Sequence, residues 1–159
     1  MSASSYWLRY TVFVCVLLAG TDASASDLLM SENSDVSDGN KLLQEGKPAE
    51  ALTSYDEAAR SLPGRHAVHL NRGLALSRMG DEQLDQAMQA FQLASEGGGP
   101  DDVRARAGAN LGNAFFKKED YAKAIELYKK SLMLSPGNKD VAWNLELARQ
   151  KKKEMQNEQ

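Results

Sequence analysis

Small and aromatic residues recur along this chain in blocks divided by polar, proline-tailed segments, and they keep the same offsets from block to block. The first block, residues 32–65, holds Gly39, Gly46, Ala51, Tyr55, Ala58 and Pro63. The second, 66–104, holds Gly73, Gly80, Ala87, Phe91 and Ala94, then Gly99 and Pro100; the third, 105–138, holds Gly112, Ala124, Tyr128, Ser131 and Pro136. Gly39 to Gly73 is 34 residues, while Ala51, Tyr55 and Ala58 reach their counterparts after 36 and then 37. Landmarks that shift together place the extra length in connectors. Asp81-Glu82-Gln83-Leu84 and Gly97-Gly98-Gly99-Pro100 are the segments where a loop grows at small entropic cost.

Each offset has a physical reason if a block is a pair of antiparallel helices. Gly39, Gly73 and Gly112 allow the first helix to approach the second, and Ala51, Ala87 and Ala124 answer them from the second helix. Tyr55, Phe91 and Tyr128 lie four residues further on, on the same face, and fill the space between. Pro63 and Pro136 cannot continue a helix and so end blocks. One helix pair cannot bury its apolar face alone; about three stacked pairs build a core. After Pro136 the pattern restarts with Asp140, Val141, Trp143, Asn144, Leu145, Leu147 and Ala148, then runs into Arg149, Lys151, Lys152 and Lys153. This predicts one closing helix over 139–154, its lysines a solvated end that suits the helix dipole.

The block pattern over residues 32–154 resembles the tetratricopeptide repeat family. The resemblance implies an all-α, right-handed solenoid of three helical hairpins plus a C-terminal capping helix, and a protein-binding scaffold rather than an enzyme. Within the family, the chaperone-binding subgroup holds a carboxylate in a clamp of five residues. Asn40, Asn71 and Arg106 match it, and Val36 and Asn110 stand where basic residues belong. The stretch from Asn110 to Lys153 also looks like the repeat proteins of bacterial aerotolerance (Bat) operons, mainly through Trp143 to Arg149. That likeness implies an exported protein accompanying a membrane protein with a von Willebrand A domain.

In such a stack the first helix of each pair lines the concave face. Asn40 and Leu43, Leu70, Asn71, Leu74 and Arg78, Arg106, Asn110, Asn113, Phe116 and Lys117, and finally Trp143, Asn144 and Lys151 are the positions that face supplies. Five of them are asparagines. An amide offers both a donor and an acceptor to the backbone of an extended peptide, Phe116 and Trp143 offer apolar anchorage, and the cations favour an acidic segment. The opposing expectation is that these asparagines satisfy groups of the scaffold itself.

At the amino terminus, Tyr6 to Gly20 is apolar apart from Arg9 and Thr11, and Ala23-Ser24-Ala25 follows. The segment predicts a signal peptide over 1–25, hence export, and a periplasmic location in a Gram-negative source. Cys15, the only cysteine, would leave with it, so a disulfide within the mature chain is excluded. Residues 26–35 are acidic and expected to be disordered to about Val36, as is the tail 155–159.

A net charge of −3 and a mean hydropathy of −0.49 describe neither a nucleic-acid binder nor a chain with a membrane span after signal cleavage. His66 and His69, three apart, are two ligands short of a metal site, and Asp81, Glu82 and Asp85 lack the spacing of a calcium loop. No cofactor and no nucleophile with its base is legible. The reading is an exported adaptor that grips a peptide segment of an envelope protein; the alternatives are a self-associating repeat module and, more remotely, a metal-binding or hydrolytic protein.

Overall fold

The computed structural model describes residues 34–157, in which seven α-helices form antiparallel pairs. They are α1 (Ser34–Gln44), α2 (Pro48–Ser61), α3 (His66–Arg78), α4 (Leu84–Ser95), α5 (Asp101–Lys117), α6 (Tyr121–Leu134) and α7 (Lys139–Asn157). Three hairpins and a cap match the all-α solenoid expected from the sequence. The proposed signal segment and most of the acidic stretch lie outside the described residues. Helix α1 already includes Ser34, Asp35 and Val36, two residues earlier than the composition suggested, because Gly39 and Leu43 are buried against the next helix and hold the turn before them. At the other end α7 runs on through Asn157, past the expected boundary at 154. Among the described residues no helix is long and apolar enough to cross a membrane.

The glycine and aromatic landmarks meet as their spacing demands. A Cβ at Gly39 would lie 2.6 Å from the Tyr55 ring, at Gly73 2.5 Å from Phe91, and at Gly112 2.7 Å from Tyr128. No real side chain tolerates those distances, so each hairpin closes by laying an aromatic face on bare helix backbone. The core runs from the middle hairpin onto α5, where Leu70, Leu76, Ala87, Phe91 and Ala94 pack with Val103, Ala107 and Leu111. A second cluster, Ala124, Tyr128, Val141, Leu145 and Ala148, seals the third hairpin with the cap. Leu70 belongs to the first of these interiors and Leu43 to a third, with Ala51, Tyr55 and Ala75, and neither lies on the concave surface.

The connectors explain the drifting period. The insertion after Gly80 forms a 3-10 turn, Asp81–Gln83, entered by Gly80 at φ 118. Gly98 (φ 103) turns the longer connector before α5. Asp81 and Asp85 each pair with a lysine at the end of α5, Lys117 and Lys118, tying the second hairpin to the third. Such exposed pairs contribute at most about 1 kcal/mol each. Helix α6 is capped by Asp120, which accepts from Lys123 N at 2.9 Å, and α7 by Asn138, which accepts from Val141 N at 3.1 Å.

Candidate peptide-binding groove

Asn40 and Asn113 do the same work in the first and third hairpins. The Tyr55 hydroxyl donates to Asn40 Oδ1 at 2.8 Å, and Asn71 Nδ2 donates to the same oxygen at 3.0 Å. The Tyr128 hydroxyl and Asn144 Nδ2 donate to Asn113 Oδ1 at 2.8 and 3.0 Å. Tyrosine, first asparagine and second asparagine all recur after the same interval, and each set links a hairpin to the helix that follows it. These sets are two equivalent amide stations on the concave side.

The middle hairpin lacks a station, and it lacks both halves together. Phe91 stands where the others have tyrosine, and Leu74 stands where they have the accepting asparagine. A buried phenol without an acceptor costs about 1–3 kcal/mol, so losing hydroxyl and amide as a pair leaves nothing unsatisfied. With Leu74 opposite it, Asn110 has no amide to bind across the repeat, and its Nδ2 donates instead to Arg106 O at 2.9 Å within α5.

Of the residues expected to line a groove, the structure gathers four into one concavity. Asn113, Phe116, Lys117 and Asn144, with Tyr128 and Leu147, line a cavity of about 330 Å³ between α5 and α7. Its walls are largely apolar, with the Asn113–Asn144 amides and the Lys117 ammonium at the margin; Phe116 is held in an edge-to-face contact with Tyr121 at 5.1 Å. Leu147 was legible as the residue one helical turn beyond Asn144; Tyr128 was read only as filling.

Other expected groove residues are placed differently. Arg78 NH1 donates to Leu43 O at 2.8 Å, so this guanidinium closes the carbonyl end of α1 and stitches the first hairpin to the second. Trp143 does not join the cavity: it is 71% exposed, although Leu147, one helical turn further along α7, lines it. Its counterparts one and two repeats earlier, Ala109 and Leu70, are covered by neighbouring helices. The two histidines do not converge. His66 lies against Gly99, His69 Nε2 lies 3.3 Å from Pro63 O, and among the described residues no group of three or more His, Cys, Asp or Glu is placed to hold a metal.

Burial pushes both station tyrosines up, Tyr128 to about 12 from 10.0. A folded state that holds its proton more tightly than the unfolded one keeps this stabilisation in full below about pH 10 and loses it as pH rises from there towards 12. The urea midpoint of the parent is therefore expected to fall across that interval. Tyr128→Phe removes a large part of the fall, which urea unfolding at a series of alkaline pH values measures.

Models of the tetratricopeptide repeat match residues 39–102 and 109–138, more than half of the chain between them. The chain belongs to the tetratricopeptide repeat family. It is 29% identical over 103 residues to a small glutamine-rich tetratricopeptide repeat-containing protein of Mycosarcoma maydis, a match covering 64% of this chain and 27% of that protein. This chain therefore spans about a quarter of that relative's length. Among solved structures, the Sgt2 repeat domain from Aspergillus fumigatus superposes with a TM-score of 0.70 at 24% identity, covering 79% of this chain and 81% of that one. The first repeat domain of Spaghetti (RPAP3), bound to the HSP90 peptide SRMEEVD, superposes with a TM-score of 0.65 at 23% identity, covering 74% and 89%. The likenesses are to eukaryotic repeat domains, not to bacterial aerotolerance proteins, and the von Willebrand A-domain partner expected from the tail loses its footing. Repeat domains of this family mediate protein–protein contacts and are not enzymes.

Proposed function

We propose that this repeat domain is an adaptor that holds an extended, acidic peptide segment of a protein partner along its concave face. The observation that carries the reading is the pair of amide stations. Asn40 with Asn71, and Asn113 with Asn144, repeat one geometry at two points of the face, and the apolar cavity beside the second offers an anchor site. Because Tyr55 and Tyr128 occupy the acceptor oxygens of Asn40 and Asn113, those amides are held in fixed orientation. A peptide then pays less to order the site it meets. Arg106, Lys117 and Lys151 stand at the first-helix positions expected to face that side, with Lys117 paired to Asp81 and Lys151 to Glu154, and the peptide seen on the Spaghetti domain is acidic at its end.

Export belongs to this proposal as a reading of residues 1–25 alone, with the partner then an envelope protein. Self-association is the second reading, favoured by Trp143, an exposed aromatic at a position that earlier repeats cover.

Capture from native extract with residues 26–159 as bait separates these readings. Beside it runs an Asn110→Ala, Lys117→Ala, Asn144→Ala variant whose helicity has been checked; it leaves Asn113 in place to satisfy Tyr128. A partner enriched by the parent and lost from the variant is the expected result. Recovery of only further copies of this chain by both baits would transfer the role to Trp143 and self-association.

A further inference from the structure

The other face of the solenoid carries a second cavity. It also measures about 330 Å³ and runs between α4 and α6 over a floor of α5. Gln92 and Ser95 line one side, Lys123, Leu127, Lys130 and Ser131 the other, and Arg104, Gly108 and Leu111 the floor. We propose that this groove is a separate docking site for a protein segment that presents a carboxylate next to an apolar side chain.

Gly108 is the first support. The three landmark glycines are bare because an aromatic ring occupies the place of a side chain. At Gly108 a Cβ would meet nothing nearer than Leu127 O and Ser131 Cβ, both at 3.9 Å. Packing does not require glycine there, and a glycine inside a helix is unfavourable relative to alanine. In the repeat register His69 holds the corresponding position of the second hairpin, so the third hairpin is missing the side chain that would fill this space.

Charge is the second support. Three cations of the lining are held by only two carboxylates: Arg104 by Asp101, and Lys123 and Lys130 together by Glu126. Those two lysines keep the Glu126 carboxyl below the usual range, so it stays ionised and still leaves one positive charge in excess. What an incoming carboxylate meets is the part-exposed Arg104 side chain on the floor together with the two lysines of the rim, a surplus of positive charge that favours it. Leu111, Leu127, Met133 and Leu134 provide the apolar complement, and Met133 is itself largely exposed. The groove is closed off from the concave side by α5, so this site is independent of the amide stations.

The test is an anisotropy titration of the full chain with a fluorescein-labelled Leu-Leu-Glu-Leu-Ser-Glu peptide, compared with its Gln-for-Glu version. Gly108→Leu fills the cavity and Arg104→Gln removes the cation of its floor. The expected result is saturable binding that weakens with salt, at least about tenfold weaker for either variant and for the Gln peptide. Binding by Gly108→Leu equal to the parent, or no saturable binding by the parent, would overturn the proposal. Thermal unfolding of Gly108→Ala guards the premise. A midpoint equal to or above the parent's is expected, and a lower one means that the space is not open and likewise ends the proposal.

Discussion

Phe91→Ala is expected to lower the stability of the domain by about 3–5 kcal/mol, the range for deleting a fully buried aromatic. Its ring belongs to the largest core cluster among the described residues and lies directly on the bare backbone at Gly73. The loss is a large part of the roughly 5–15 kcal/mol that a domain of this kind has in total. Gly73→Ala in the parent drives a methyl to 2.5 Å from that ring and is expected to cost about 1–3 kcal/mol through overpacking. In the Phe91→Ala background the obstacle is gone, and the same substitution should stabilise by up to about 1 kcal/mol through helix propensity. Urea unfolding of the four proteins measures the coupling. Simple additivity of the two changes would mean that glycine and ring are not each other's reason.

Restoring the two missing cations of the five-residue clamp is expected to tighten binding of the SRMEEVD peptide about 100-fold. Val36 and Asn110 leave the terminal carboxylates with Asn40, Asn71 and Arg106 alone. Each added charge-assisted hydrogen bond is worth about 1.5–3 kcal/mol, and tenfold in affinity corresponds to about 1.4 kcal/mol. Val36→Lys with Asn110→Arg is therefore expected to gain two such contacts, and the parent is expected to bind this peptide only weakly. The position of Asn110 favours the change: facing Leu74 it bonds only within its own helix, so replacing it breaks no link between repeats. Equal affinity of parent and double variant, read by calorimetry, would show that the peptide does not follow the clamp register.

What could be read from the chain and what could not divide along a physical line. Helix pairing was legible because Gly39 with Tyr55, Gly73 with Phe91 and Gly112 with Tyr128 are steric necessities that recur, and recurrence is visible in letters. The stations were half legible. Five asparagines on one face could be seen, but the fact that two of them are tied down by tyrosines of the facing helix depends on how the helices are rotated. The joint replacement of Tyr by Phe91 and Asn by Leu74 was the available clue. Trp143 is exposed and outside the cavity although Leu147, one turn away, lines it, a difference that depends on how far each side chain reaches and not on its register. Arg78 looked like a groove cation and proved to be a bond to the Leu43 carbonyl, a long-range backbone contact that no periodicity announces. Gly108 escaped notice because it is not repeated; its meaning lies in the space around it.

Side-chain amide signals of the isotopically labelled protein, followed while SRMEEVD is added, test the concave-face account most directly. Even weak binding moves them. The account predicts that the Nδ2 groups of Asn71, Asn110 and Asn144 shift together with the Phe116 ring, and that the Trp143 indole and the residues around Gly108 stay still. Shifts confined to Trp143 or to the α4–α6 groove, or none at all, would contradict it.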